Sequence, residues 1–264
     1  MSSKKGPDDD ELAGTEQPFV SHLVELRDRL IKSLVAVGIA FGLLSLWPGP
    51  GALYDLLARP LVANLPEGAT MIATSVISPF LVPLKITLLA GFMVALPVVL
   101  YQVWAFVAPG LYSHEKRLVL PLVISSTVLF FAGVAFAYFF VFNGVFRFIQ
   151  SFAPQSITAA PDIEAYLGFV MNMFIAFGLA FEVPVAVMVL VRMGVVTVEK
   201  LRQFRGYFIV LAFLVAAIVT PPDVISQLAL AVPMCLLYEA GIWAAQIFAK
   251  KAEEGAERAS DSAA

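Results

Sequence analysis

Three carboxylates carry the chemistry that the residues of this chain could perform. Glu25 lies in Ser21-His-Leu-Val-Glu25-Leu-Arg27-Asp-Arg29-Leu30, just ahead of the first apolar run. Glu115 lies in Leu111-Tyr-Ser-His-Glu115-Lys-Arg, between the second and third runs. Two carboxylates on one face beside a membrane can accept two guanidinium groups, each in a bidentate geometry that an ammonium cannot match. Each also has a plainer reading. Glu25 and Arg29 stand i, i+4 and mildly stabilise their own helix. Ser113 can cap a helix whose first turn holds Glu115 at the positive end of the dipole.

Glu182, in Phe181-Glu182-Val-Pro184, is the sharper anomaly. It precedes Arg192 by ten residues, about 15 Å of helix, which is mid-bilayer depth. An acid there costs about 2.5–3.5 kcal/mol on insertion scales and faces a bundle interior or a wet cavity. Nothing reads as catalytic. His22 and His114 are the only histidines, each in a surface segment, with no metal-spaced ligand set or nucleophile elbow. Cys235 sits inside an apolar run, as a packing residue does, and as the lone cysteine it permits no intrachain disulfide.

The elements that position these residues must be membrane helices. Of 264 residues 60% are hydrophobic and 14% charged, with a mean hydropathy of +0.87. A soluble domain carries about a quarter charged residues and cannot bury this much apolar surface in one core. The net charge of −3 says little about partners, because the acids gather in Asp8-Asp9-Asp10-Glu11 and from Glu253 to Asp261. Those stretches read as disordered tails, 1–17 and 250–264, flanking a membrane domain over 18–249. The first apolar run starts only near Ile31 behind an acidic leader without an A-x-A site, unlike a cleavable export signal.

A hydrocarbon core of ~30 Å needs about 20 apolar helical residues. The candidates are Ile31–Trp47, Phe80–Ala108, Leu118–Phe142, Tyr166–Val191, Tyr207–Thr220 and Val224–Ala249. The last two are divided by Pro221-Pro222, which a helix interior does not tolerate. The fold class expected is therefore an all-α membrane protein of six transmembrane helices, with both termini on one side. Segments on the terminal side hold fourteen basic residues against Arg59 and Arg147 on the other, which predicts an N-in, C-in orientation. Tyr101, Trp104, Tyr112 and Trp243 fit interfacial anchoring. Lys85 and Glu239 are expected to snorkel.

Helix starts are legible as Ser78-Pro79, an N-cap followed by proline, and Thr220-Pro-Pro-Asp223, a capping box. Pro97, Pro121, Pro184 and Pro233 lie within spans and predict kinks, hence a curved, concave bundle. The segment from Pro48 to Pro79 is long enough to cap it. Span five, with 14 apolar residues, covers only about 21 Å and should thin the bilayer locally. Snorkelling polar flanks are the simpler alternative.

Together these segments resemble those of a known family. SHLVELRDRL from Ser21, YQVWAFVAPGLYSHEKRL from Tyr101, FEVPVAV from Phe181 and TPPDVISQ from Thr220 resemble the signatures of the TatC family of twin-arginine translocases, in order from about Pro18 to Phe248. The resemblance implies a glove-shaped receptor in the bacterial cytoplasmic membrane that binds twin-arginine signal peptides at its cytoplasmic face. It implies that Glu25 and Glu115 take part in holding the arginine pair, with Arg27, Phe106 and His22 grouped beside them. Glu182 and Gln227 are implied as intramembrane polar or partner positions, and Pro60, Tyr138 and Asp223 as otherwise functional. Implied partners are single-span TatA-type and TatB-type subunits docking chiefly on spans five and six, further copies of the chain, and lipid. Folded cargo then crosses at the expense of the proton-motive force, with no cofactor, metal or nucleic acid. The chain departs from the pattern at Ser113, where relatives can carry lysine, and at Asn143-Gly144, where others have Phe-Pro. A secondary transporter built around Glu182 would call for an inverted repeat with broken helices, and none is visible. An intramembrane enzyme would need paired residues at depth, where one acid stands.

Overall fold

The computed structural model describes residues 8–65, 70–107, 119–152, 160–220 and 223–261, with side chains described within 20–248. Among those residues the regular structure is all helical, apart from one isolated bridge. The order is α1 (Asp8–Leu46), α2 (Pro50–Val62), α3 (Ser78–Val107), α4 (Val119–Phe136), a π-helical turn (Ala137–Val141) and α5 (Phe142–Phe152). Then follow α6 (Ile163–Phe181), α7 (Val183–Arg192), α8 (Val198–Gln203), α9 (Arg205–Val219) and α10 (Val224–Asp261). α1 begins at Asp8 and α10 ends at Asp261, so helix reaches into both stretches that the sequence assigns to tails.

Among the described residues, five helical segments are long and apolar enough to cross a membrane: Val20–Leu46, Ser78–Val107, Val119–Ser151, Ile163–Arg192 and Val224–Phe248. The sixth apolar helix is α9, with 15 residues, or about 22 Å. Its shortness is as the sequence reads it. Inserting one turn of leucines at Val215 should restore hydrophobic matching. If local thinning serves transport, that protein should export cargo several-fold more slowly in a transport assay on vesicles; unchanged export would show that thinning is not needed.

Glycines set where the helices meet. A Cβ at Gly91 of α3 would stand 2.9 Å from the backbone nitrogen of Phe41 on α1. One at Gly133 of α4 would stand 2.4 Å from the Phe177 carbonyl oxygen on α6, and one at Gly241 of α10 2.9 Å from Pro184 Cα on α7. Small residues let helix backbones approach closely in lipid, where packing and not water exclusion drives association. The largest core forms where α4, the π-turn and α5 lie on α6: Phe142 and Phe177 are fully buried, and the Phe142 ring stacks on Phe174 at 5.5 Å.

The prolines act unequally. Helix continues through Pro83 and Pro97 in α3 and through Pro233 in α10. Among the described residues of the fourth span it is interrupted at Glu182, ahead of Pro184 in the first turn of α7. Pro60, inside α2, has no N–H for the Leu56 carbonyl four residues back. The Tyr138 hydroxyl donates to that carbonyl at 2.7 Å instead. Tyr166 donates to the Leu57 carbonyl at 2.6 Å, and Asn64 donates to both the Pro60 carbonyl and Asn143 Oδ1. These bonds hold α2 as a cap over the α3–α4–α6 core, as its length suggests. Asn143, one of the departures, thus has a partner in the cap.

The cap continues to α6. Ile72 bridges Asp162 in parallel, and the Asp162 carboxylate caps α6 through the amides of Glu164 and Ala165 while accepting the Thr74 amide and hydroxyl. The Ala165 amide first, then Thr74, holds its carboxyl below the ordinary carboxylate range.

Two helix starts differ from the sequence reading. Ser78 does not cap α3: it is the first helical residue, its hydroxyl is buried without a hydrogen-bond partner among the described residues, and the Ile77 carbonyl starts the helix. Thr220 is not the residue that precedes α10, which starts at Val224; its hydroxyl donates to the Ala216 carbonyl of α9. Asp223 is the cap, accepting the Ser226 amide at 2.7 Å and the Ser226 hydroxyl at 2.5 Å. Pro221 and Pro222 lie outside the described residues.

Candidate recognition site and intramembrane acid

α1 is a single helix from its amphipathic start to its span, packed chiefly on antiparallel α3. This places Ser21 to Leu30 beside the last turns of α3, at the end of the bundle away from the α2 cap. There the His22 ring stacks on Phe106, with centroids 4.3 Å apart and planes 18° from parallel. One turn further along α1, Arg29 donates to Glu25 Oε1 from Nε at 2.9 Å and from Nη2 at 2.6 Å. Arg29 Nη1 also reaches Gln102 Oε1 at 3.4 Å. The second oxygen, Glu25 Oε2, lies 3.9 Å from His22 Nδ1, too far for a hydrogen bond.

His22, Glu25 and Phe106 are therefore brought together. Arg27 is not: it is exposed and turns to Asp28 at 2.8 Å. Glu115, His114 and Ser113 fall outside the described residues. Gln102 was missed from sequence, although it stands four residues before Phe106 and so on the same helix face. Leu23, Leu26 and Leu30 are all exposed in the isolated chain, as an apolar stripe at a membrane surface is. The arrangement offers a half-exposed carboxylate, one of whose oxygens has no hydrogen bond among the described residues, beside an aromatic pair. Guanidinium groups bind carboxylates through paired N–H donors and stack on aromatic faces.

Glu182 occupies the junction between α6 and α7, and both its oxygens are buried without a hydrogen-bond partner among the described residues. Ser126 of α4 faces the carboxyl group but stands outside hydrogen-bonding geometry. The Ser126 hydroxyl is fully buried and accepts the Trp104 indole N–H at 2.9 Å, which leaves its own O–H free to donate. Trp104 is thus not an interfacial anchor. Its ring packs on Val185 and Val189 of α7, because the indole N–H finds a partner inside the bundle. Trp104, Ser126 and Glu182 form a polar string across three spans.

Glu239 does not simply snorkel. It joins α10 to the start of α9 through Arg205, at 2.6–2.7 Å. Lys85 is exposed, as expected. Gln227 reaches back from α10 to the Phe213 carbonyl on α9 at 3.4 Å, so with Asp223 it braces the short hairpin. Pro60 is buried in the cap and Tyr138 bonds it, as described above. No cluster of three or more potential metal ligands occurs among the described residues.

Several apolar spans, a cap and buried polar side chains at depth define a multi-pass membrane protein. The family profile for the Sec-independent protein translocase protein TatC matches residues 21–233. The TatC protein of Escherichia coli K12 is 48% identical over 89% of this chain and 90% of its own length. That of Halothiobacillus neapolitanus is 53% identical over 88% of this chain, which spans 63% of that longer relative. A crystal structure of the twin-arginine translocase receptor TatC superposes with a TM-score of 0.73 at 41% identity, covering 86% of this chain and 98% of the other. The chain belongs to the TatC family. It is accordingly a protein-transport component of the Tat translocase complex in the inner membrane, and not an enzyme.

Proposed function

We propose that the chain is the receptor subunit that binds twin-arginine signal peptides and organises single-span TatA-type and TatB-type partners. The observation that carries this reading is the cluster of His22, Glu25 and Phe106 at the end of α1 and α3. Glu25 meets Arg29 through Oε1 and keeps Oε2 for an incoming guanidinium, which the His22–Phe106 pair can flank. Glu115 supplies the second carboxylate for the second arginine. The excess of basic residues on the terminal side supports six spans with both termini in the cytoplasm, which puts this cluster where a signal peptide arrives. Glu182 and Gln227 are the intramembrane polar contacts offered to partner helices. Further copies of the chain complete the receptor complex, and the proton-motive force drives passage of folded cargo.

Photocrosslinking of a twin-arginine peptide to membranes carrying wild-type, Glu25→Ala, Glu115→Ala and doubly substituted protein tests the assignment. Loss of one charge-assisted contact costs about 1–3 kcal/mol, so each single variant should crosslink several-fold less and the double variant at background. A peptide with Lys-Lys in place of Arg-Arg should crosslink weakly to the wild type, since lysine lacks the bidentate fork. Wild-type crosslinking by the double variant would sink the assignment.

A further inference from the structure

α7, α8, α9 and α10 enclose a groove of about 420 Å³ that the reading above does not use. Its walls are apolar. Val183, Ala186 and Leu190 line one side along two turns of α7, and Phe204 and Phe208 line the other. The hydroxyl of Tyr238, another lining residue, donates to the Leu201 carbonyl at 2.8 Å. The volume falls in the range of small-ligand pockets, roughly 300–1,000 Å³, and an apolar cavity of this kind does not hold water. The α7 wall belongs to the span Ile163–Arg192, so the groove runs about 10 Å into the hydrocarbon layer.

Charge marks its mouth. Lys200 is the charged residue of the lining and forms no ion pair among the described residues. Arg202, exposed two residues on, is likewise without an ion pair there, whereas the charge of Arg205 is met by Glu239. Arg192 lies over the Phe248 ring at 5.1 Å, and Glu199 is the one exposed acid on α8. An apolar slot at membrane depth that opens on unpaired cations matches a molecule with an apolar tail and an anionic head. A partner helix would need no cation at the rim. We propose that this groove binds one acyl chain of an anionic phospholipid, whose phosphate is met by Lys200. Basic pockets between spans hold anionic headgroups in this way.

The test is native mass spectrometry of the full chain purified in mild detergent, titrated with phosphatidylglycerol, phosphatidylethanolamine or free glycerol 3-phosphate. One phosphatidylglycerol should bind about fivefold more tightly than phosphatidylethanolamine, the worth of one lysine near a headgroup. Free glycerol 3-phosphate should not bind. Lys200→Gln should erase the preference and keep the binding. Ala186→Phe, which fills the slot, should weaken both lipids at least fivefold; Leu190→Trp on the same wall replaces it if Ala186→Phe does not purify folded. Equal phosphatidylglycerol binding by the wild type and the filled variant would overturn the proposal, as would an unchanged preference in Lys200→Gln. A purified single-span subunit that binds the wild type but not the filled variant, with no lipid bound in its absence, would assign the groove to a partner helix and overturn it equally.

Discussion

Export of folded cargo by the Glu182→Ala protein is expected to fall more than tenfold, while crosslinking of the signal peptide stays at the wild-type level. Glu182 sits where the fourth span is broken between Phe181 and Val183, with both oxygens buried and no hydrogen bond among the described residues. A buried polar group without a partner is costly and is retained only where something else uses it. Its neighbours are the Ser126 hydroxyl, already holding Trp104, and Pro184, which supplies no N–H. Alanine removes the carboxyl group, which alone at this junction carries two oxygens free of hydrogen bonds among the described residues. Glutamine keeps the shape and both hydrogen-bonding roles, so Glu182→Gln should retain much of the export. The peptide site is at the end of α1 and α3 and shares no residue with this junction, which is why binding should survive. Parallel export and crosslinking assays on the two variants decide the matter. Equal and severe export loss in both would mean that the charge itself is required, and full activity in both would leave Glu182 a bystander.

Gly133→Ala should be the most destabilising single methyl in the bundle. The added Cβ would lie 2.4 Å from the Phe177 carbonyl oxygen, 2.9 Å from its carbon and 3.0 Å from Phe181 Cδ2. Two of those atoms are helix backbone, so the strain cannot be relieved by turning a side chain, and α4 must move off α6. Overpacking of a fitted core costs about 1–3 kcal/mol. Gly38, in α1, is the control, because a Cβ there meets nothing within 4 Å. Alanine at that site should be neutral or stabilise by up to about 1 kcal/mol through helix propensity. Thermal unfolding in detergent, followed by size exclusion, should show Gly133→Ala melting several degrees below the wild type and Gly38→Ala at or above it. Coincident melting of all three would mean that α4 and α6 do not approach so closely. Gly178 makes the same approach from the other helix, but there the obstacle is the Phe130 ring at 2.4 Å, a side chain held in the core.

The spans were legible because the bilayer acts on each stretch of chain by itself. Twenty apolar residues in a row, or fifteen in α9, declare their length whatever they pack against. The membrane class and the shortness of α9 both came from such local reading. Helix ends were half legible. The Thr220–Asp223 stretch was identified as a boundary, yet which residue does the capping depended on which side chain stands directly ahead of Val224. That residue is Asp223, which accepts the Ser226 amide.

What tertiary structure alone decided is which side chains meet. Hydropathy specifies that a helix crosses the membrane but leaves its rotation about its own axis open. That rotation is set by close backbone approaches such as Gly91 to Phe41 and Gly133 to Phe177, between residues far apart in the chain. It turned Trp104 inward to Ser126, laid His22 on Phe106, and paired Glu239 with Arg205. It also brought the Tyr138 hydroxyl to the one carbonyl that Pro60 leaves unpaired. The sequence by itself determined which stretches are apolar enough to cross a membrane and which carbonyl Pro60 leaves without a helical donor. The partners of those residues were decided by packing, because a contact between two spans depends on the azimuth of both.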